Sequence, residues 1–98
     1  MNEVVVEAVQ EALVPRLRFG EMFTAWDVTR EVRDRIGLPH RLLKQIVHAL
    51  FVDGWMGEGY TRTLCDVGGD RGPAWVYHRE GDDPACYTTE MLLERLMR

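Results

Sequence analysis

Apolar residues recur at helical spacing along the first fourteen positions. Val5, Val6, Val9, Ala12 and Leu13 alternate with Glu3, Glu7, Gln10 and Glu11. This is the pattern of an amphipathic helix over residues 2–14. Pro15 disfavours helix at the residue before it, so the element is expected to end or kink there. Residues 16–21 then read as a connector. A second helix opens with an explicit signal: Thr24 can cap it, Asp27 three residues later can return the bond, and Phe23 and Val28 occupy hydrophobic-staple positions. Val28, Val32 and Ile36 line one face, and Gly37 is a candidate left-handed terminator, which predicts a helix over 25–36. Leu38-Pro39 opens a third helix, with proline where its missing donor costs nothing. Leu43, Ile46, Val47 and Leu50 fall at i, i+3, i+4 and i+7 as one core stripe, and Gly54 closes the helix.

Beyond Gly57 and Gly59 the period changes. Tyr60-Thr61-Arg62-Thr63-Leu64-Cys65-Asp66-Val67 alternates and is β-branched, and Ala74-Trp75-Val76-Tyr77-His78 reads as its partner strand. The six residues between them are turn formers, three of them glycine. Residues 80–84 form an acidic loop. Thr88 or Thr89 can cap a last helix carrying Met91, Leu92, Leu93, Leu96 and Met97.

With 98 residues there is room for one domain and one modest core. No run is apolar enough to span a bilayer, and no basic leader pattern is present, so no membrane is expected. Cys65 and Cys86 form no CxxC pair, which points to a reducing cytoplasm. The formal net charge of -4 counts against nucleic-acid binding, but its distribution matters more. Residues 1–14 carry three Glu and no base, whereas residues 15–48 carry seven Arg or Lys against four acids. The positive charge therefore gathers in the two-helix segment.

Helix, connector, helix capped by Thr24, helix from Pro39 to Gly54, glycine-rich ribbon: in this order, over residues 2–79, the chain resembles the winged helix-turn-helix superfamily. The resemblance implies an α+β fold of three helices plus a β-hairpin wing, here over residues 1–80. Residues 81–98 add the acidic loop and a C-terminal helix as a possible dimerisation element. It also implies that helix 39–53 is the recognition helix, that residues 66–74 are the wing, and that Met22–Phe23 adds a short edge strand to the ribbon.

Arg41, Lys44, Gln45 and His48 share the face of the third helix opposite its core stripe. Arg and Lys suit guanine edges and phosphates, and Gln suits adenine. His40 at the start of that helix, Arg71 at the hairpin tip, and Arg30 and Arg33 on the second helix complete the expected DNA-binding set. The plain alternative is a solvated helix face. Trp26, Arg30 and Arg33 lie at i, i+4 and i+7; Trp26 either packs on the first or last helix or marks a partner surface. Tyr60, Trp75 and Tyr77 are read as cross-strand packing, the alternative being stacking on unpaired bases.

Catalysis finds little support. His40 and His48 are two turns apart, His78 has no acid or nucleophile at recognisable spacing, and no phosphate-loop pattern occurs. The expectation is a non-enzymatic cytoplasmic transcription regulator that binds double-stranded DNA as a homodimer, without cofactor or metal. The alternatives are a protein-interaction module in a larger assembly and a mobile-element protein that targets another protein.

Overall fold

The computed structural model describes residues 3–66, 73–85 and 87. Its elements run α1 (Glu3–Arg18), α2 (Ala25–Val32), α3 (His40–Val52), β1 (Tyr60–Asp66) and β2 (Pro73–Arg79). This is an α+β chain of three helices and a two-stranded antiparallel ribbon. The tip at 67–72 and the expected C-terminal helix at 88–98 lie outside the described residues. No helix among the described residues is long and apolar enough to cross a membrane.

The apolar stripes converge as their spacing requires. Val5, Val9, Ala12 and Leu13 of α1 meet Ala25, Val28 and Val32 of α2 and Leu43, Ile46, Val47 and Leu50 of α3 in one cluster. Phe23, Met56, Tyr60 and Tyr77 close its ribbon side. Phe23 stacks on Tyr77 with ring centroids 5.2 Å apart, and Phe51 meets Tyr77 edge-on at 5.4 Å. Phe23 also exchanges both backbone bonds with Tyr77, at 3.1 and 2.8 Å. The short edge pairing expected at Met22–Phe23 is thus one antiparallel bridge, and β2 lies between it and β1.

Helix α1 does not stop at Pro15. It continues to Arg18, because proline removes only one ladder bond while the extra turn buries Leu17 against the core. The terminator is Gly20, in the left-handed region at φ 66°. The amide of Glu21 donates to Arg16 O and that of Gly20 to Leu17 O, the paired bonds of a Schellman motif. A Cβ at Gly20 would also collide with the Arg79 guanidinium.

Helix α2 starts as expected. The Thr24 amide donates to the Asp27 carboxylate at 2.9 Å, and the Asp27 amide donates to Thr24 Oγ1 at 3.4 Å. It ends at Val32 rather than Ile36, and Gly37 is not in the left-handed region. The chain must be extended before Pro39, so it leaves the helix early through a turn in which the Arg35 and Ile36 amides share Val32 O. Ile36 still packs on the core from that turn. Helix α3 ends as expected: Gly54 has φ 81°, and the Trp55 amide donates to Leu50 O.

The ribbon register pairs Tyr60 with Arg79, Arg62 with Tyr77 and Leu64 with Trp75. These pairs share the face that carries buried Tyr60 and Tyr77. The Tyr60 hydroxyl lies 2.8 Å from Glu21 O and 3.1 Å from Arg16 O, anchoring β1 to the end of α1. Thr63 and Val76, and Thr61 and His78, form the opposite face, on which Val76 and His78 are buried.

Candidate functional site

The outward face of α3 is built by the same periodicity that buries the inward one. With Leu43, Ile46, Val47 and Leu50 turned to the core, Arg41, Lys44, Gln45 and His48 are left exposed together. The helix sequence HRLLKQIVHALFV contains no Asp or Glu, so these cations have no carboxylate on their own helix. Among the described residues the ion pairs are Arg16 with Glu31 and Arg35 with Glu11. Two arginines of the basic segment are therefore paired within the fold, whereas Arg41 and Lys44 form no ion pair among the described residues.

The ribbon completes the site through Arg62. Its guanidinium donates to His48 Nδ1 at 2.8 Å. It lies 4.8 Å from the Phe51 ring centroid and 4.3 Å from that of Trp75. Burial raises the pKa of the cross-strand Tyr77 phenol, and the nearby Arg62 charge pulls against the rise. Cation–π contacts with two rings restrict where the guanidinium can go. Beyond it, Leu64 and Trp75 are 54% and 37% exposed, so the ribbon carries apolar surface past the core beside α3. The result is one surface with Arg41, Lys44, Gln45 and His48 on the helix and Arg62, Leu64 and Trp75 on the ribbon.

The other expected residues are placed differently. His40 is half-buried at the start of α3, with its ring edge-on to Trp26 at 5.0 Å. Thr29 gives its only hydroxyl proton to Ala25 O at 2.9 Å, so at the 2.8 Å contact with His40 Nδ1 it accepts. His40 thus joins α2 to α3. Trp26 meets the third helix through this ring, and Arg33 lies 6.0 Å over its indole. Arg30 and Arg33 are exposed on α2. Arg71 lies outside the described residues.

Arg62 and Leu64 are site residues that sequence reasoning did not single out, and Trp75 was read there chiefly as cross-strand packing. The signal for Arg62 was strand parity: it is two residues from buried Tyr60, hence on the face toward the helices. Among the described residues no three His, Cys, Asp or Glu side chains could hold a metal ion. Comparison of the chain with protein-family models, characterised proteins and solved structures returns no match.

Proposed function

We propose that the protein is a winged helix-turn-helix DNA-binding protein in which α3 enters the major groove of duplex DNA and the ribbon contacts the flanking backbone. The observation that carries this reading is the acid-free outward face of α3. It presents Arg41 and Lys44 with no carboxylate partner among the described residues, in a chain whose net charge is -4. Charges with no use inside the fold are available to phosphates. Arg62 and Gln45 extend the same surface. The element order and the Phe23–Tyr77 bridge suit that architecture. The protein acts as a homodimeric transcription regulator in the cytoplasm, the apolar residues at 91–97 supplying the sequence reason for pairing. Two copies of α3 would then address successive turns of the duplex.

The test is duplex binding as a function of salt. Phosphate neutralisation releases counterions, so affinity should fall steeply and linearly on logarithmic axes. Arg41→Ala and Lys44→Ala should each cost ~1–3 kcal/mol of binding where they reach base edges, or reduce the salt slope by about one where they reach phosphate. A folded protein that binds no duplex at low salt would sink the reading. Exposed Leu64 and Trp75 favour a protein partner as the second reading, which salt-insensitive capture of a polypeptide on this face would support.

A further inference from the structure

We propose that His48 reads a guanine-bearing base pair as a hydrogen-bond donor, and that Arg62 is the positioning residue that fixes its tautomer. This rests on α3 being the DNA-contacting helix.

The argument begins with the 2.8 Å contact between Arg62 and His48 Nδ1. A guanidinium has donors and no acceptor, so Nδ1 must offer a lone pair. The neutral ring then carries its proton on Nε2. Turning the ring over would set a carbon against the guanidinium and lose the bond. Arg62 is poorly placed to follow a different ring position, because its guanidinium packs on the Phe51 and Trp75 rings at 4.8 and 4.3 Å.

His48 is itself exposed, and its Nε2 has no partner among the described residues. The ring therefore presents a preset N–H donor beside Arg41, Lys44 and Gln45. The other two histidines are used differently. His78 gives Nδ1–H to Arg79 O at 2.8 Å and accepts at Nε2 from Thr63, and His40 donates to Thr29. His48 alone is held by its acceptor nitrogen with its donor outward.

In the major groove a donor matches acceptors only. Guanine offers two adjacent acceptors there, N7 and O6, whereas adenine offers one beside an amino donor, thymine offers O4 alone and cytosine offers only a donor. A fixed donor is therefore best matched by guanine and opposed by cytosine. A ring free to exchange tautomers could meet either kind of edge. One pinned as Nε2–H discriminates between them, and holding it in advance removes an ordering cost from binding.

The test uses the full chain and a random-sequence duplex library, with 15N–1H spectra of the imidazoles in free protein. The wild type should show His48 as the Nε2–H tautomer and select sites with a fixed guanine. Replacing that guanine by 7-deazaguanine should weaken wild-type binding by about tenfold, within the range of one base contact. His48→Ala should bind both duplexes equally. Arg62→Met keeps apolar bulk against the rings but removes the donor; it should show mixed His48 tautomers and lose the discrimination. Arg62→Lys, which restores a donor, should recover part of both. An Nδ1–H tautomer in the wild type, or a selected site indifferent to 7-deazaguanine at every guanine, would overturn the proposal while leaving the DNA reading in place. Failure to bind any duplex at low salt would remove the DNA reading and this proposal together.

Discussion

The two faces of α3 obey opposite rules within thirteen residues. Inward, Leu43 and Val47 are fully buried and Ile46 and Leu50 nearly so. Outward, Arg41, Lys44 and Gln45 are exposed, and His48 is bonded only to a side chain from another element. A surface helix selected for stability alone would carry Glu–Lys pairs at i, i+4, each contributing ~0.2–0.5 kcal/mol. This helix has none. Its inward face accounts for its place in the fold, and its outward face makes no comparable contribution. The difference separates the part of the helix that the fold uses from the part it leaves exposed.

The comparison breaks first if the inward face proves dispensable. Leu43→Ala should destabilise the protein by ~2–5 kcal/mol, since a fully buried leucine leaves both a lost transfer energy and a cavity. Leu50→Ala should fall toward the lower part of that range, being slightly exposed. Chemical denaturation followed by circular dichroism measures both. A neutral Leu43→Ala would mean that the faces have been assigned the wrong way round.

The start of α2 sharpens the contrast, because polar groups there are used inwardly. Asp27 Oδ2 accepts from the Thr24 amide at 2.9 Å and from the Tyr87 hydroxyl at 2.6 Å, so one carboxylate caps the helix and holds the chain after the ribbon. Tyr87→Phe should cost ~1.5–3 kcal/mol, the value of a hydrogen bond to a charged acceptor. It should also change the alkaline limb of stability. Burial, first, and the bond to Asp27 raise the Tyr87 phenol well above its usual value, and burial raises Tyr60 and Tyr77 as well. A phenol with a raised folded pKa is protonated in the fold while the unfolded chain ionises near pH ~10. Stability from these groups is therefore complete below about pH 10 and falls as pH rises past it. Urea titrations between neutral and strongly alkaline pH should show a steeper decline for wild type than for Tyr87→Phe. Equal slopes would remove Tyr87 from the account.

Thr24→Ala comes next, at ~1 kcal/mol, through loss of the cap. Its partner bond from the Thr24 amide to Asp27 survives the change, which keeps the loss moderate. A destabilisation as large as that of Leu43→Ala would show that the α2 start is a core element rather than a helix end.

What could be read in the sequence divides along the same line. The stripe of α3, the capping box of α2, Gly54 and the ribbon are local patterns, and each appears at its place. Where tertiary packing outweighs a local rule, reading by pattern fails. Pro15 is an argument for a helix end, yet burial of Leu17 and the turn at Gly20 carry α1 on to Arg18. Gly37 has the composition of a terminator but not the backbone conformation, because Pro39 already dictates an extended approach. The inward turn of His40 depends on Trp26 and Thr29, eleven or more residues away in sequence, and nothing in its neighbours signals it. Arg62 belongs to both kinds: parity gives its face, but its contacts with both Phe51 and Trp75 require the fold.

The smallest expected effect is the one that bears most directly on function. Arg41→Ala and Lys44→Ala should each change folding stability by no more than ~0.5 kcal/mol, as is usual for exposed positions without special contacts. Neither residue forms an ion pair among the described residues, so removing it leaves no buried partner unpaired. Relief of repulsion between the two cations, three positions apart on one helix face, could make either change slightly stabilising. Melting curves of the purified variants, compared at one ionic strength, measure the difference. If both are neutral in stability and defective in duplex binding, the outward face is a contact surface maintained for a partner. If both destabilise by ~1 kcal/mol or more, these cations serve the fold, and the division between the faces of α3 does not hold.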